Sequence, residues 1–198
     1  YHELIRNFGD VPATFTPAFK LNDLFIPQAD RDSTYNKLLA DLELAITLLP
    51  WRTEAGSYNE RITKGAAKAL RARIALARGG YALRQNGNIE RKSDYLTYYQ
   101  IAKQECQDLM ARRDQHTLHP NFMEFWVQHS DVSGSRNPSG EILFEVGAGG
   151  GNGSTDSRLG DFDGTAVDVN TRYSRGAAQI NIVPTYFYAF DSVDTRRD

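Results

Sequence analysis

Apolar residues recur at helical spacing along the middle of this chain. Tyr35, Leu38, Leu39, Leu42, Ile46 and Leu49 follow an i, i+3, i+4, i+7 rhythm behind Asp30 and Asp32, which predicts an amphipathic helix facing a core. An acidic start suits the N-cap and the helix dipole, and Pro50 ends the segment. A polar loop with Trp51 and Tyr58 leads to RITKGAAKALRARIALARGG at 61–80. Here Thr63 is the expected N-cap and Gly79-Gly80 the expected exit. A third helix is predicted from Ser93 or Asp94 through Tyr95, Tyr99, Ala102, Cys106 and Leu109, and a short one over 121–128 after Pro120.

From Glu141 the pattern changes. EILFEV (141–146) alternates like a short strand. Residues 147–176 are mostly Gly, Asn, Ser, Asp and Arg, a long irregular loop of the kind that carries function. PTYFYAF starts another short helix with Pro184 at N1. Helix, loop, helix, loop, helix resembles tetratricopeptide-type hairpins, although the strict 34-residue signature is absent. The expected division is a helical-hairpin part over 1–130 and a loop-rich part over 131–198. YHELIRNF reads as a helix already under way and VDTRRD lacks a closing element, so 1–198 is expected to be the central segment of one longer domain.

The basic stretch at 61–80 is open to several chemistries. On a helical wheel Lys64, Lys68, Arg71 and Arg78 fall on one side, while Ile62, Ala66, Ala69, Leu70, Leu76 and Ala77 fall broadly on the other. A membrane-surface helix wants bulky insertion residues, and this apolar face is mostly alanine, which favours close helix packing. TKGAAK lacks the spacing of a phosphate-binding loop. Arg73 sits mid-face and needs a carboxylate if buried; Asp41 on the preceding helix is the expected ion-pair partner.

The 198 residues are 40% hydrophobic and 24% charged, with a net charge of −2, so no global field attracts nucleic acid. A single cysteine, Cys106, excludes an intrachain disulfide and reads as a small core residue. GAGGGNGS (147–154) has no helix behind it to make a dinucleotide site. DFDG, with Asp161, Asp163, Gly164 and Asp168, has a faint calcium-loop look without EF-hand spacing. His116 and His119, near Asp114 and His129, are interrupted as a metal set by Pro120. No catalytic constellation is assembled and no cofactor is called for. What remains is loop aromatics beside polar groups: Trp51, Tyr58, Phe162 with Asp163, and Asn170, Arg172 and Tyr173. Such sets stack on a sugar ring and bond its hydroxyls, which makes these the candidate ligand residues.

Taken in order, LIRNFGDVP (4–12), DRDSTYNKLLADLELAITLLP (30–50), RITKGAAKALRARIALARGGY (61–81), EILFEV and DSVDTRRD (191–198) resemble the SusD/RagB family of outer-membrane nutrient-binding lipoproteins. The resemblance implies a mostly helical fold of tetratricopeptide-like hairpins, an α-α superhelix with long irregular loops and a short strand. It implies a surface-exposed protein held in the outer membrane by a lipid anchor outside this segment. Such a protein passes oligosaccharides or peptides to a SusC-like TonB-dependent transporter and catalyses nothing. Some members bind calcium. A scaffold that binds only a protein partner is the alternative.

Overall fold

The structure is a computed structural model that describes residues 1–20, 25–56, 59–130, 137, 139–146, 167–170, 174–176 and 182–194. It is mostly helical. The elements are α1 (His2–Phe8), α2 (Arg31–Leu48), α3 (Arg52–Ala55), α4 (Lys64–Gly79), α5 (Tyr95–Ala111) and α6 (Phe122–Ser130), with a last one-turn helix at Pro184–Phe187. Among the described residues lie three antiparallel two-stranded ladders: β1 (Val11–Pro12) with β2 (Gln28–Ala29), β3 (Ala82–Leu83) with β4 (Ile89–Glu90), and β5 (Val167–Asn170) with β6 (Ser174–Gly176).

Two compact units are present, Tyr1–His119 with Asn137–Phe144, and Pro120–Arg136 with Glu145–Asp198. Residues 137–144 return to the first unit because buried Asn137 ties them there, its amide bonding Ile142 O at 2.9 Å and Asn59 Oδ1 at 2.8 Å.

Helix ends follow local chemistry. Asp30 caps α2 by accepting from Ser33 N at 2.7 Å. Burial opposes the charge of Asp30, but the Ser33 hydrogen bonds prevail and hold its pKa below the usual value. Thr63 caps α4 by accepting from Ala66 N. Gly79 permits a close helix contact: a Cβ there would come within 2.9 Å of the Tyr99 ring and 3.0 Å of Tyr95 O.

In the first unit α4 packs against both α2 and α5. The core is Ile5, Val11, Tyr35, Leu39, Ala72, Ile74, Ala75 and Ala102, with Leu38, Leu42, Tyr98 and Ile101 packed on it. The wheel for α4 is corrected here. Leu70 and Leu76 are exposed, whereas Arg78 is buried and the Arg71 side chain is only 12% exposed. The physical reason is pairing. Arg71 bonds Glu105 and Leu39 O and lies 3.1 Å from Glu43; Lys68 bonds Glu105 at 2.7 Å and Asp108 at 2.9 Å. Arg78 bonds Asp94 at 2.9 Å and Asn36 at 3.2 Å, and lies over the Tyr98 ring. The basic edge of α4 is thus turned inward, onto acids that α2 and α5 supply.

Three further expectations are corrected. Arg73 is exposed, and the Asp41 carboxylate accepts from Lys37 at 2.6 Å one turn away on the same helix. Cys106 is exposed because Glu105, its neighbour, occupies the inward position beside Lys68 and Arg71. EILFEV forms no ladder; its first residues instead bond locally, with Ile142 N donating to Asn137 Oδ1 at 3.2 Å.

Glu105→Gln is expected to destabilise the first unit by about 3 kcal/mol, since it removes one partner of buried charges. Cys106→Ser is expected to stay within about 0.5 kcal/mol; urea melts compare the two. Asp108, with its hydrogen bond from Lys68 as the largest cause, has its pKa lowered from 3.8. A depressed carboxylate contributes stability above its unfolded pKa and loses it as pH falls through the folded value. Melts in acid should therefore show stability falling below about pH 4.

Candidate ligand cleft

The loop after α1, the start of α2 and the β3–β4 hairpin enclose a cleft of about 980 Å³ in the first unit. Phe8, Gly9 and Asp10 are among the residues that line it. Gly9 turns the chain with φ 73°, a conformation that favours glycine. Asp10 then accepts from Arg31 N at 2.9 Å and from the Gln85 amide, which fixes the hairpin over the α2 N-terminus. The hairpin closes through Asn86-Gly87, with Gly87 at φ 81° and Arg84 N bonded to Asn88 O at 2.9 Å.

Behind the cleft lies a buried carboxylate, Asp32. It faces Arg84 Nη1 at 2.8 Å, Arg31 Nη1 at 3.3 Å and Arg78 Nη1 at 3.8 Å. Arg31 also stacks over the buried Tyr35 ring, and burial raises the pKa of that phenol. Arg84 is 10% exposed, and its Nε and Nη2 are buried without a hydrogen-bond partner. At the mouth two aromatics stay open, Phe8 at 73% and Tyr81 at 66% exposure.

Of the expected ligand residues, Trp51 and Asn170 fall among the described residues. Trp51 is half-buried at the start of α3, and its ring carries the Arg112 guanidinium at 4.4 Å and the Lys64 ammonium at 5.9 Å. Arg112 in turn grips Asp114 through two bonds of 2.8 and 2.7 Å, which hold that carboxyl far below the usual carboxylate range. Trp51 is thus engaged with protein cations, and it does not line the cleft. Tyr58, Phe162, Asp163, Arg172 and Tyr173 lie outside the described residues, as do 147–154 and the Asp161–Gly164 stretch. Asn170 is placed as backbone only, opposite Ser174 in the β5–β6 ladder.

His116 is held as a packing residue: its Nδ1 donates to Gly140 O at 2.7 Å and its ring lies beside Trp51. Among the described residues no group of three or more His, Cys, Asp and Glu is placed to hold a metal ion, and no helix is long and apolar enough to cross a membrane.

Phe8, Asp10, Tyr81 and Arg84 were not singled out from the sequence. Asn86-Gly87 was the available signal, since that dipeptide marks a hairpin. What it could not show is that the hairpin folds back onto Asp10.

Asp10→Ala is expected to cost about 1–3 kcal/mol, the penalty for orphaning a backbone N–H and an amide. Faster hydrogen exchange at Arg31 and in β3–β4 checks it; unchanged protection there would show that the contact does not hold the hairpin.

Residues 1–76 match a SusD-like family described as "Starch-binding associating with outer membrane". No curated protein and no solved structure matches the chain. The family match covers α1, β1, β2, α2, α3 and most of α4, including Asp10 and Asp32.

Proposed function

We propose that this protein captures oligosaccharides at the cell surface and hands them to a SusC-like TonB-dependent transporter, without catalysis. The observation that carries the reading is the match of residues 1–76 to a family described as starch-binding and associated with the outer membrane. Surface exposure, a lipid anchor outside this segment and tetratricopeptide-like hairpins belong to the same reading, as does the place of 1–198 within one SusD-like domain. The α2, α4 and α5 layer is the scaffold that such hairpins would supply.

The cleft supports it chemically. Open aromatics at a mouth offer faces for sugar rings, and polar groups inside offer donors for hydroxyls. Phe8 and Tyr81 stand at the mouth, with Asn7, Gln85 and Arg84 on the walls. The loop aromatics Tyr58, Phe162 and Tyr173, with Asp163, Asn170 and Arg172, remain proposed as a second wall, and calcium in DFDG as a secondary proposal.

Calorimetry of the whole protein against a panel of oligosaccharides and short peptides tests the reading. Saturable glycan binding, with the glycan recovered unshortened, is the expected outcome. Peptide binding with no glycan binding would replace it by the protein-partner scaffold. Tyr81→Ala is expected to weaken glycan binding by roughly 1 kcal/mol or more, as for loss of one stacking face.

A further inference from the structure

We propose that the tip of the β3–β4 hairpin is a self-modification site: the Asn86 side chain cyclises onto the Gly87 backbone nitrogen, loses ammonia and is left as isoaspartate or aspartate. The rate is set by how often the tip opens, and so by the Asp10–Gln85 contact.

Asn86-Gly87 is the one Asn-Gly step among the described residues. Glycine sets no side chain against the approach of its nitrogen to the amide carbon. Residues 85–90 are all exposed, and a Cβ placed on Gly87 would meet nothing within 4 Å, so water reaches the turn. The turn also prepares the electrophile. Asn86 Oδ1 accepts from Asn88 N at 2.9 Å, which polarises the side-chain carbonyl and puts a donor where negative charge develops during attack.

The reaction balances with water alone. Hydroxide takes the Gly87 N–H proton, the nitrogen forms a bond to Asn86 Cγ, and the charge passes to Oδ1. Collapse of that oxyanion breaks Cγ–Nδ2, and Nδ2 takes a proton from water and leaves as ammonia. Water then opens the cyclic imide. Addition at Cγ leaves aspartate, whereas addition at the backbone carbonyl reroutes the chain through Cγ and leaves isoaspartate.

In the closed hairpin the nucleophile is engaged, because Gly87 N donates to Arg84 O at 2.9 Å. Attack needs that bond to part. Arg84 anchors the base of the hairpin on Asp32 at 2.8 Å. The tip beyond it is held by Arg84 N on Asn88 O at 2.9 Å and by the Gln85 amide on Asp10. Its ladder has only the pairs Ala82 with Glu90 and Leu83 with Ile89, and so short a ladder is marginal by itself. Conversion of Asn86 therefore follows local opening of the tip. The product acts back on the hairpin. Asn86 Nδ2 donates to Glu90 Oε1 at 3.2 Å, and a carboxylate in its place loses that bond and faces a like charge. Both residues line the cleft, so conversion adds negative charge there.

The test is peptide-resolved mass spectrometry on the whole protein held in mildly alkaline buffer, in parallel with the same chain in urea. The Asn86 peptide, separated from the one holding Asn152-Gly153, is expected to gain the mass that separates an acid from an amide, with isoaspartate the larger product. Conversion should be slower in buffer than in urea and should quicken as pH rises. Asp10→Ala should speed it about tenfold in buffer, by the extra opening that loss of the contact allows, and leave the rate in urea unchanged. Gly87→Ala should slow it in urea. Asn86→Asp should speed hydrogen exchange in β3–β4. Intact Asn86 in buffer after complete conversion in urea overturns the proposal. Equal rates in buffer and urea, or a rate that Asp10→Ala leaves unchanged, would remove the control by tip opening. Unchanged exchange in Asn86→Asp would remove the effect of the product on the hairpin.

Discussion

A buried carboxylate has to be paired, and Asp32 meets that demand with guanidiniums from three places in the chain. Arg31 comes from its own helix, Arg78 from α4 and Arg84 from the β3–β4 hairpin. Each of these arginines does something else as well: Arg31 reaches Ala77 O at 3.4 Å, Arg78 reaches Asp94 at the start of α5, and Arg84 lines the cleft. Moving any one of them would leave charge buried without compensation, at a cost of several kcal/mol. The positions of α2, α4, α5 and the hairpin are therefore tied to a single group.

Glu105 repeats the device at the other end of α4, where it is shared by Lys68 and Arg71. Lys68 reflects it: burial works against the ammonium, but the hydrogen bonds it donates to Glu105 and Asp108 outweigh it and raise the pKa. Between the two ionic clusters the contact is made by small residues, Ala72, Ala75 and Ala102, with Gly79 against Tyr99. Small side chains let the helix backbones approach closely enough for the long basic side chains to reach acids on both neighbours. Alanine-rich packing and the paired charges are then two aspects of one interface.

This arrangement also explains where ligand chemistry is available. Trp51 looked like a stacking residue in a polar loop, yet Arg112 and Lys64 already use its π surface. At the cleft Phe8 is 73% exposed, and Tyr81 keeps 66% of its surface open beside Arg91.

Local signals in the chain determined the helices, because capping and termination act within a few residues. Asp30 before Ser33, Thr63 before Ala66, Gly79-Gly80 and Pro184 all mark ends that the fold contains. The order of motifs determined the SusD-like resemblance that residues 1–76 bear out. Which face of α4 points inward was not legible, since arginine on a wheel reads as solvated unless its partners are known. Those partners, Asp32, Glu43, Asp94 and Glu105, lie on other helices or at their ends. Cys106 and Glu105 differ by one position, about 100° of rotation, and only the Lys68 and Arg71 contacts decide between them. The cleft depends on tertiary structure for the same reason. Asp10 and Gln85 are 75 residues apart, and their hydrogen bond exists only once the hairpin has folded over the start of α2.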